Sequence, residues 1–349
     1  MEHYADKHNA TWHNHLVSSE RPVNPFRFGS LALDAAFTDR QAEIDGLVAD
    51  ARNGQDVVVF APRRYGKSSL VWRVAQELVR EGVLVAQVDL MRTPTKDLLA
   101  AKLAKAIHEE LATRLWNAKE RLKVFAGLRL TPTVTVDPND GSVSFSFDAR
   151  AADEDIDATL EELLVVLGRI ASERDRRVVL VLDEFQEVVD IDRSLIKLMR
   201  SVFQEQPEVA HIYLGSKRHM MERIFNDENE PFWRSAKQME LGVIPPDLFE
   251  PYALDRFGET GKALSPDTCQ AALALTAGHP YATQELLYFL WEETEPGVTG
   301  GRAELDGAAE ARSQTRVKCE CSERRVASTA PSSSPASAVP PGSVSSHRK

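Results

Sequence analysis

The sequence predicts an α/β fold, in which a parallel sheet is flanked by helices and followed by a small helical lid. Two apolar runs, Val57–Phe60 and residues 178–182, have the length and composition of strands that are covered on both faces. Amphipathic helices alternate with such runs as far as residue 242, which is typical of a parallel sheet. Beyond Pro245-Pro246 the strand-like runs end and only helical patterns follow.

The first apolar run leads into a loop whose composition suits phosphate binding. The loop reads Ala61-Pro62-Arg63-Arg64-Tyr65-Gly66-Lys67-Ser68-Ser69 and continues as a helix. Its backbone N–H groups can converge on a β-phosphate, Lys67 can reach the β and γ oxygens, and the Ser68 hydroxyl can coordinate Mg²⁺. Ala61 stands where the P-loop pattern has Gly, and its methyl group restricts the backbone. We therefore expect these residues to bind a nucleoside triphosphate; the alternative is a chance Gly-Lys-Ser after a core strand.

The second apolar run ends in two carboxylates, Asp183 and Glu184. Ligands of open α/β sheets bind beyond the carboxyl ends of the strands, so Asp183 is expected beside the loop that holds Mg²⁺. We assign Asp183 as the residue that holds the metal through water and Glu184 as the base for the attacking water. The alternative is a pair of acids that ends a core strand at a solvated turn. Together the two motifs predict nucleotide binding and hydrolysis.

Composition restricts the class of protein. The 349 residues are 43 % hydrophobic and 27 % charged, a balance that suits a globular core domain with a smaller one attached. No apolar run approaches the ~20 residues that span a bilayer and no signal-peptide pattern is present, so we expect no membrane partner and a cytoplasmic location. The net charge of −11 argues against a surface that binds nucleic acid throughout, with a local basic patch as the alternative. The three cysteines are too few for a disulfide framework, and Cys319 and Cys321 have the wrong spacing for a zinc knuckle.

Four segments are expected along the chain. Residues 1–23 are expected to form a disordered leader, 24–245 the core and 246–296 the helical lid. Residues 297–349 are rich in Ser, Pro and Ala. We expect them to be disordered, because they cannot bury enough apolar area to offset the entropy of ordering. Within the core, residues 129–148 alternate with period two around an Asp-Pro-Asn-Asp-Gly turn and predict an inserted β-hairpin. This hairpin is either a solvated ornament or a contact for a partner or second copy.

On further motifs the chain resembles the archaeal-type AAA-like ATPases, which are relatives of the STAND NTPases. The residues that carry the resemblance run in family order over residues 24–292; they are Phe37-Thr38-Asp39-Arg40, the loop from Ala61 to Leu70, Asp183-Glu184-Phe185-Gln186, Leu214-Gly215-Ser216, Pro231-Phe232-Trp233-Arg234 and Gly278-His279-Pro280-Tyr281. The resemblance implies that the nucleotide is ATP. It also implies an additional strand between the P-loop strand and the acidic strand, which residues 209–214 can supply.

The resemblance implies roles for residues outside the two motifs. Ser216 matches a sensor position that feels the γ-phosphate, with a simple turn serine as the alternative. Arg234 matches an arginine that neutralises transition-state charge within the chain or across a subunit contact, with a surface salt bridge as the alternative. His279 and Pro280 match a lid motif whose backbone approaches the nucleotide, or form an ordinary turn between helices. Arg40 matches a family position on the adenine side.

These features predict an ATP-binding and ATP-hydrolysing molecular switch that depends on Mg²⁺ and couples its ATP state to a partner protein, to DNA or to a nucleotide-dependent oligomer. ATP would close the lid on the core and hydrolysis would reopen it. The runner-up is a nucleic-acid-processing ATPase of the loader or helicase type, which requires a basic channel and strand-dependent turnover. A small-molecule kinase is less consistent with Glu184, since a base placed for water fits hydrolysis better.

Overall fold

The structure is a computed structural model that describes residues 22–30, 37–38, 40–112, 125, 127–148 and 150–328, with the backbone alone over 316–328. The strands are, in chain order, β1 (Val57–Phe60), β2 (Leu84–Asp89), β3 (Thr133–Val136), β4 (Val143–Ser146), β5 (Val178–Asp183), β6 (Val209–Gly215), β7 (Lys237–Glu240), β8 (Ala263–Leu264) and β9 (Thr299–Gly300). The α-helices are α1 (Gln41–Arg52), α2 (Lys67–Arg80), α3 (Lys96–Ala106), α4 (Asp153–Arg174), α5 (Val188–Ile191), α6 (Ser194–Phe203), α7 (Arg218–Asn226), α8 (Pro246–Glu259), α9 (Pro266–Thr276), α10 (Pro280–Glu293) and α11 (Arg302–Ser328).

The central sheet is parallel throughout, in the order β2-β5-β6-β1-β7. Strand β6 lies between the P-loop strand β1 and the acidic strand β5, as the resemblance implied, and its seven residues are all buried. Helices cover both faces, which explains why the central strands are almost entirely apolar. The predicted α/β fold is confirmed, and the carboxyl ends of β1 and β5 lie at one edge of the sheet.

Helix α2 begins at Lys67, directly after the loop that follows β1. Its residues Leu70, Val71, Val74 and Leu78 are fully buried and pack against the sheet. Their spacing keeps one stripe of the helix on the core, so the axis of α2 points its N-terminus at the space beyond β1. The first turn of the helix is thereby fixed at the edge where a phosphate group can meet its N–H groups.

The inserted hairpin is present and packs on the core domain. Strands β3 and β4 pair antiparallel, with Val134 opposite Phe145. Phe145 and Phe147 are buried in the main apolar cluster, and the Phe145 ring contacts the rings of His108 and Phe125. The hairpin therefore covers α3 and the π-helical segment Ile107–Ala112 that continues it, rather than standing free in solvent.

The lid has an apolar core of its own, built from α8, α9 and α10. Ser265 caps α9 by accepting a hydrogen bond from the backbone N–H of Thr268 at 3.2 Å, as expected of a helix that begins Ser-Pro. Phe26, from the segment before the core, is fully buried in this cluster and contacts Tyr252 and Phe257. The segment around Phe26 thus packs on the lid, although the sequence assigned it to the core.

The expectation of disorder from residue 297 is wrong over Arg302–Ser328, which forms helix α11. Leu305 and Ala308 are fully buried against the lid, and Arg312 pairs with the buried Glu285 at 2.6 Å. These positions recur at helical spacing, a pattern that the polar average composition of the segment concealed. Residues 329–349 and 1–21 lie outside the described residues. Among the described helices, none combines the length and the apolar character needed to cross a lipid bilayer.

Candidate functional site

A cavity of about 400 Å³ lies between the P-loop and the lid. The residues assigned from the sequence that line it are Arg40, Arg63, Arg64, Tyr65, Gly66, Lys67, Ser68, Ser69, Glu184 and Pro280. This volume is in the range of small-molecule sites in proteins. The structure therefore brings together most of the predicted site, from four separate stretches of the chain.

The loop between β1 and α2 curls around Lys67. Arg64 and Gly66 have left-handed backbone conformations, with φ of 68° and 86°. The Lys67 ammonium donates to the carbonyl oxygens of Ala61 at 3.0 Å and Pro62 at 3.3 Å. Burial lowers the pKa of Lys67, while the carboxylates of Glu184 and Asp183 raise it by less. A polyanion in the cavity would offset the cost of burying this charge.

The alanine at the first position of the loop fits its surroundings. Ala61 is buried, and its methyl group belongs to the apolar cluster between the sheet and α2. Six described non-glycine residues have positive φ, and Ala61 is not one of them. Its backbone therefore does not need glycine, and the departure from the P-loop pattern leaves the loop intact.

Ser68 lines the cavity and contacts Asp183, which lies behind it and does not itself line the cavity. The Ser68 hydroxyl donates to Asp183 Oδ2 at 3.1 Å, and the Glu184 backbone N–H donates to Asp183 Oδ1 at 2.9 Å. Burial raises the pKa of Asp183, and the neighbouring Glu184 carboxylate raises it further. Hydroxyl and carboxylate oxygens are the ligands that Mg²⁺ accepts, and a cation would relieve the repulsion between the two acids. The donor set fits the expected metal.

Glu184 lines the cavity in a constrained conformation. Its φ of 54° is left-handed, and its side chain is only 8 % exposed. Its Oε2 accepts hydrogen bonds from Ser216 Oγ and Gln186 Nε2, both at 2.6 Å. Ser216, which directly follows β6, thus contacts the carboxylate. In the sequence, Gln186 was only one residue of a motif that carries the family resemblance. Nothing in that motif indicated that its side chain contacts Glu184.

The lid touches the P-loop through two ring contacts. The Arg64 guanidinium lies 4.4 Å from the centroid of the Tyr281 ring. The centroids of the Tyr65 and His279 rings are 4.7 Å apart. His279 also caps α10, since its Nδ1 accepts from the backbone N–H of Ala282. Pro280 follows as the first residue of α10 and reaches the cavity wall. The predicted lid motif therefore meets the phosphate loop directly.

Gly278 holds the start of this motif against the connection between core and lid. Its φ is 68°, and a Cβ at this position would lie 2.3 Å from the carbonyl oxygen of Ile244. The Ile244 N–H in turn donates to the Gly278 carbonyl at 2.9 Å. No other residue fits so close to the Ile244 backbone, so this glycine fixes where α10 begins.

The cavity is also lined by residues that were not assigned to the site from the sequence. They include Phe28, Phe37, Thr38, Met91, Ile244, Tyr281 and Gln284. Arg40 is 6 % exposed and is held there by Glu43 and by the carbonyl oxygen of Gly242, which its Nη2 meets at 2.7 Å. Phe37, Thr38 and Tyr281 belong to motifs that carry the family resemblance, but no motif links them to the other four residues, so only the fold reveals that all of them meet. For Phe28, the available signal was the aromatic pair in Phe26-Arg27-Phe28.

Arg234 lies outside this cavity. Its exposed guanidinium sits 5.0 Å from the centroid of the exposed Trp233 ring, and its backbone is left-handed with φ of 51°. The Arg234 backbone N–H donates to the Phe225 carbonyl at 2.9 Å, which fixes the turn. The structure thus does not bring Arg234 to the site formed by its own chain.

A family described as an ATPase domain predominantly from Archaea matches residues 37–235. This range contains the P-loop, the acidic strand and the strand between them. It ends just before β7 and the lid. No curated protein sequence matches the chain at a significant level.

Solved structures share the fold. The Walker-type ATPase PABY2304 of Pyrococcus abyssi aligns with a TM-score of 0.59 and 16 % identity, over 85 % of this chain and 78 % of its own. The Aeropyrum pernix ORC2 protein, solved as ADPNP-ADP complexes, aligns with a TM-score of 0.50 and 12 % identity, over 79 % of this chain and 69 % of its own. At these identities the likeness shows the fold alone.

Proposed function

This chain belongs to a family of ATPase domains predominantly from Archaea, and from that premise we propose that it is an ATP-operated switch whose lid responds to the γ-phosphate. One observation carries the proposal: the cavity that holds the P-loop is closed on another side by the lid residues Pro280, Tyr281 and Gln284. A nucleotide in this cavity would touch both units. Its hydrolysis would change contacts on both.

Binding would use the groups that the loop already orients. The N–H groups of the loop and of the first turn of α2 would hold the β-phosphate, and Lys67 would leave the Ala61 and Pro62 carbonyls for the β and γ oxygens. Ser68 and Asp183 would hold Mg²⁺, which when bound neutralises charge on the phosphate oxygens. Phe28 and Phe37 offer apolar surface to the base on the far wall.

Hydrolysis would use Glu184 as the base that orients and deprotonates the attacking water. The contact of Ser216 Oγ with Glu184 Oε2 supports this role, because it holds one oxygen and leaves the other for water. Ser216 would register loss of the γ-phosphate through the same contact. The proton would pass from water to the Glu184 carboxylate.

Coupling to the lid would pass through the two ring contacts. Arg64 stacks on Tyr281 of the lid while lying in the phosphate loop, so a phosphate oxygen would compete with the ring for the same guanidinium. Tyr65, the next residue of the loop, contacts His279, which caps α10. Occupation of the loop would therefore alter how the lid packs.

Hydrogen exchange of the backbone amides tests the switch. We expect the loop at 61–66 to gain protection with either ADP or a non-hydrolysable ATP analogue, and the first turn of α10 to differ between the two nucleotides. The Lys67→Ala chain is the control, in which neither region should respond at a nucleotide concentration that just saturates the unchanged chain. Equal protection of α10 in both nucleotide states would overturn the switch and leave a plain ATPase.

Arg234 would act on a second copy rather than on its own site. Its exposed position beside Trp233, outside the cavity of its own chain, supports this assignment. An arginine that reaches a neighbouring γ-phosphate would make turnover depend on assembly. The oligomer would then itself be an output of the ATP state.

DNA and small-molecule acceptors are the alternatives to a protein partner or oligomer. The net charge of −11 disfavours a binding surface for the phosphate backbone of DNA. Turnover measured with and without single-stranded and duplex DNA should be equal, and strong stimulation would favour the loader or helicase alternative. Release of ADP in water without any acceptor would exclude the kinase.

A further inference from the structure

A chain of hydrogen bonds runs from Glu184 to the protein surface through Gln186. Gln186 Nε2 donates to Glu184 Oε2 at 2.6 Å and to Glu187 Oε1 at 3.2 Å. Glu187 Oε1 also lies 2.9 Å from Lys217 Nζ, in an ion pair whose members are both partly exposed. One buried amide therefore connects the assigned base with a surface ion pair.

The orientation of the Gln186 amide is fixed by its neighbours. Ionised carboxylates only accept hydrogen bonds and the amide nitrogen has two N–H groups, so Nε2 faces Glu184 and Glu187. The side chain is fully buried. On its other side, a Cβ on Gly215 would lie 2.8 Å from Gln186 Oε1 and 2.3 Å from Met221 Cγ, so that only glycine leaves room for both. Strand β6 and helix α7 thus hold the amide against Glu184.

Orientation matters for the carboxylate because it must meet a single water molecule. Both described donors, Gln186 Nε2 and Ser216 Oγ, use the same oxygen of Glu184, which leaves Oε1 for the proton of the water. A displacement of about 1 Å in such an arrangement costs on the order of 100-fold in rate. Loss of one donor would free the side chain to rotate.

We propose that Gln186 is a positioning residue for ATP hydrolysis, which orients Glu184 and is anchored by the Glu187–Lys217 ion pair. The inference rests on the proposed function, since it requires Glu184 to be the base. Among the described residues, Gln186 does not line the cavity. It therefore acts through Glu184 and leaves nucleotide binding unchanged.

Gln186→Met tests the proposal because methionine keeps the length and removes both donors. Single-turnover hydrolysis should fall about 10- to 100-fold, whereas the ATP dissociation constant and the thermal unfolding midpoint should stay the same. Gln186→Asn keeps the amide but withdraws it by one methylene group, and the same loss is expected. Normal hydrolysis in both variants, or a loss of ATP affinity equal to the loss of rate, would overturn the proposal.

The Glu184→Gln background separates this proposal from the proposed function. Adding Gln186→Met to that background should cause no further loss, because the group to be oriented is gone. A further tenfold loss would show that Gln186 acts independently of Glu184 and would overturn the proposal. Normal hydrolysis by the Glu184→Gln variant would refute Glu184 as the base. If Glu184→Gln hydrolyses ATP slowly but Gln186→Met hydrolyses it at the normal rate, only the role of Gln186 is refuted.

Lys217→Met tests the anchor at the surface. We expect a loss of about two- to fivefold in single-turnover hydrolysis, in keeping with the small strength of a partly exposed ion pair. The matched control is Arg218→Met, which breaks ion pairs with Glu222 and Glu240 that touch no member of the hydrogen-bond chain. Equal rates in the two variants would remove the ion pair from the proposal.

Discussion

Lys67 is the side chain on which triphosphate affinity should depend most. It is 6 % exposed, and burial lowers its pKa, so its charge is costly until an anion shares the cavity. Lys67→Ala should weaken ATP binding about 10- to 100-fold, since a hydrogen bond to a charged group is worth about 1.5–3 kcal/mol. Titration of ATP with Mg²⁺ measures this. Lys237→Ala, which breaks a surface pair with Asp50, is the control, and equal affinities would refute the P-loop assignment.

Glu184 should be needed for chemistry and not for binding. Glu184→Gln keeps the shape and a hydrogen-bonding head group but loses the carboxylate that takes the proton of water. Single-turnover hydrolysis should fall about 10²- to 10⁴-fold, the usual worth of general-base catalysis, while equilibrium binding of ATP persists. Loss of ATP binding in the same preparation would make Glu184 part of the metal or structural site.

Single residues could be assigned from the sequence where a motif fixes both their spacing and their chemistry. Lys67, Ser68, Asp183 and Glu184 meet as predicted because two strand ends of a parallel sheet deliver them to one edge. Arg234 matches its motif equally well, yet it does not line the cavity of its own chain. A motif specifies the local backbone, but not which side of the molecule that backbone faces.

At the scale of elements, the apolar strands and the alternating strands of the hairpin were predictable, whereas the polar strand at the edge of the sheet was not. The runs that became β1, β5 and β6 are buried on both faces and read as continuous apolar stretches. Strand β7 reads Lys-Gln-Met-Glu and lies at the edge of the sheet, where one side needs no apolar cover. Helix α11 was missed because the polar average composition of residues 297–349 concealed its buried apolar positions Leu305 and Ala308.

The contact of α11 with the lid can be tested through Leu305. This side chain is fully buried in the lid cluster, so Leu305→Ala should lower the free energy of unfolding by about 2–5 kcal/mol. Glu310→Ala removes a side chain from the exposed face of the same helix and should change stability by less than about 0.5 kcal/mol. Urea unfolding of both variants makes the comparison, and equal stabilities would mean that α11 does not pack as described.

The junction of α10 with the core depends on Gly278. Gly278→Ala would place a methyl group 2.3 Å from the Ile244 carbonyl oxygen at a φ of 68°, so the lid must shift. We expect a destabilisation of about 1–3 kcal/mol and weaker ATP binding, because His279 and Pro280 move with the helix. Gly258→Ala, in α8 with open space around the added Cβ, should be neutral or stabilising by up to about 1 kcal/mol. Similar unfolding curves for the two variants would contradict the role of the junction.

On the scale of the whole molecule, the cavity exists only because distant parts of the chain converge. Phe28 lies in a segment that packs on the lid through Phe26, while Tyr281 and Gln284 come from α10. The wall that would face the base is thus assembled by the same contacts that hold the lid in place. Tyr281 stands in a family motif, but no local pattern links it to Phe28 or Gln284, and this explains why the phosphate side of the site was predictable and this wall was not.

At the scale of the assembly, we predict that Arg234 acts on the nucleotide site of a second copy of the chain. Arg234 stands exposed beside Trp233, outside the cavity of its own chain, and its backbone N–H donates to the Phe225 carbonyl. An arginine supplied to a phosphoryl-transfer transition state is worth about 10³–10⁵ in rate. Arg234→Ala should therefore slow turnover strongly without loss of ATP binding. Arg223→Ala, an exposed arginine of α7, is the control.

Mixing two inactive variants decides whether Arg234 acts between copies. Lys67→Ala copies bind ATP poorly but keep Arg234, whereas Arg234→Ala copies bind ATP but lack the arginine. If each Arg234 serves the site of a neighbour, a mixture restores some active sites, each with ATP held by an Arg234→Ala copy and the arginine supplied by a Lys67→Ala copy. Turnover of the mixture should exceed that of either variant and rise with protein concentration, since the active site then spans two chains. A mixture no faster than its components would show that Arg234 does not act in this way and would return it to the role of a surface residue.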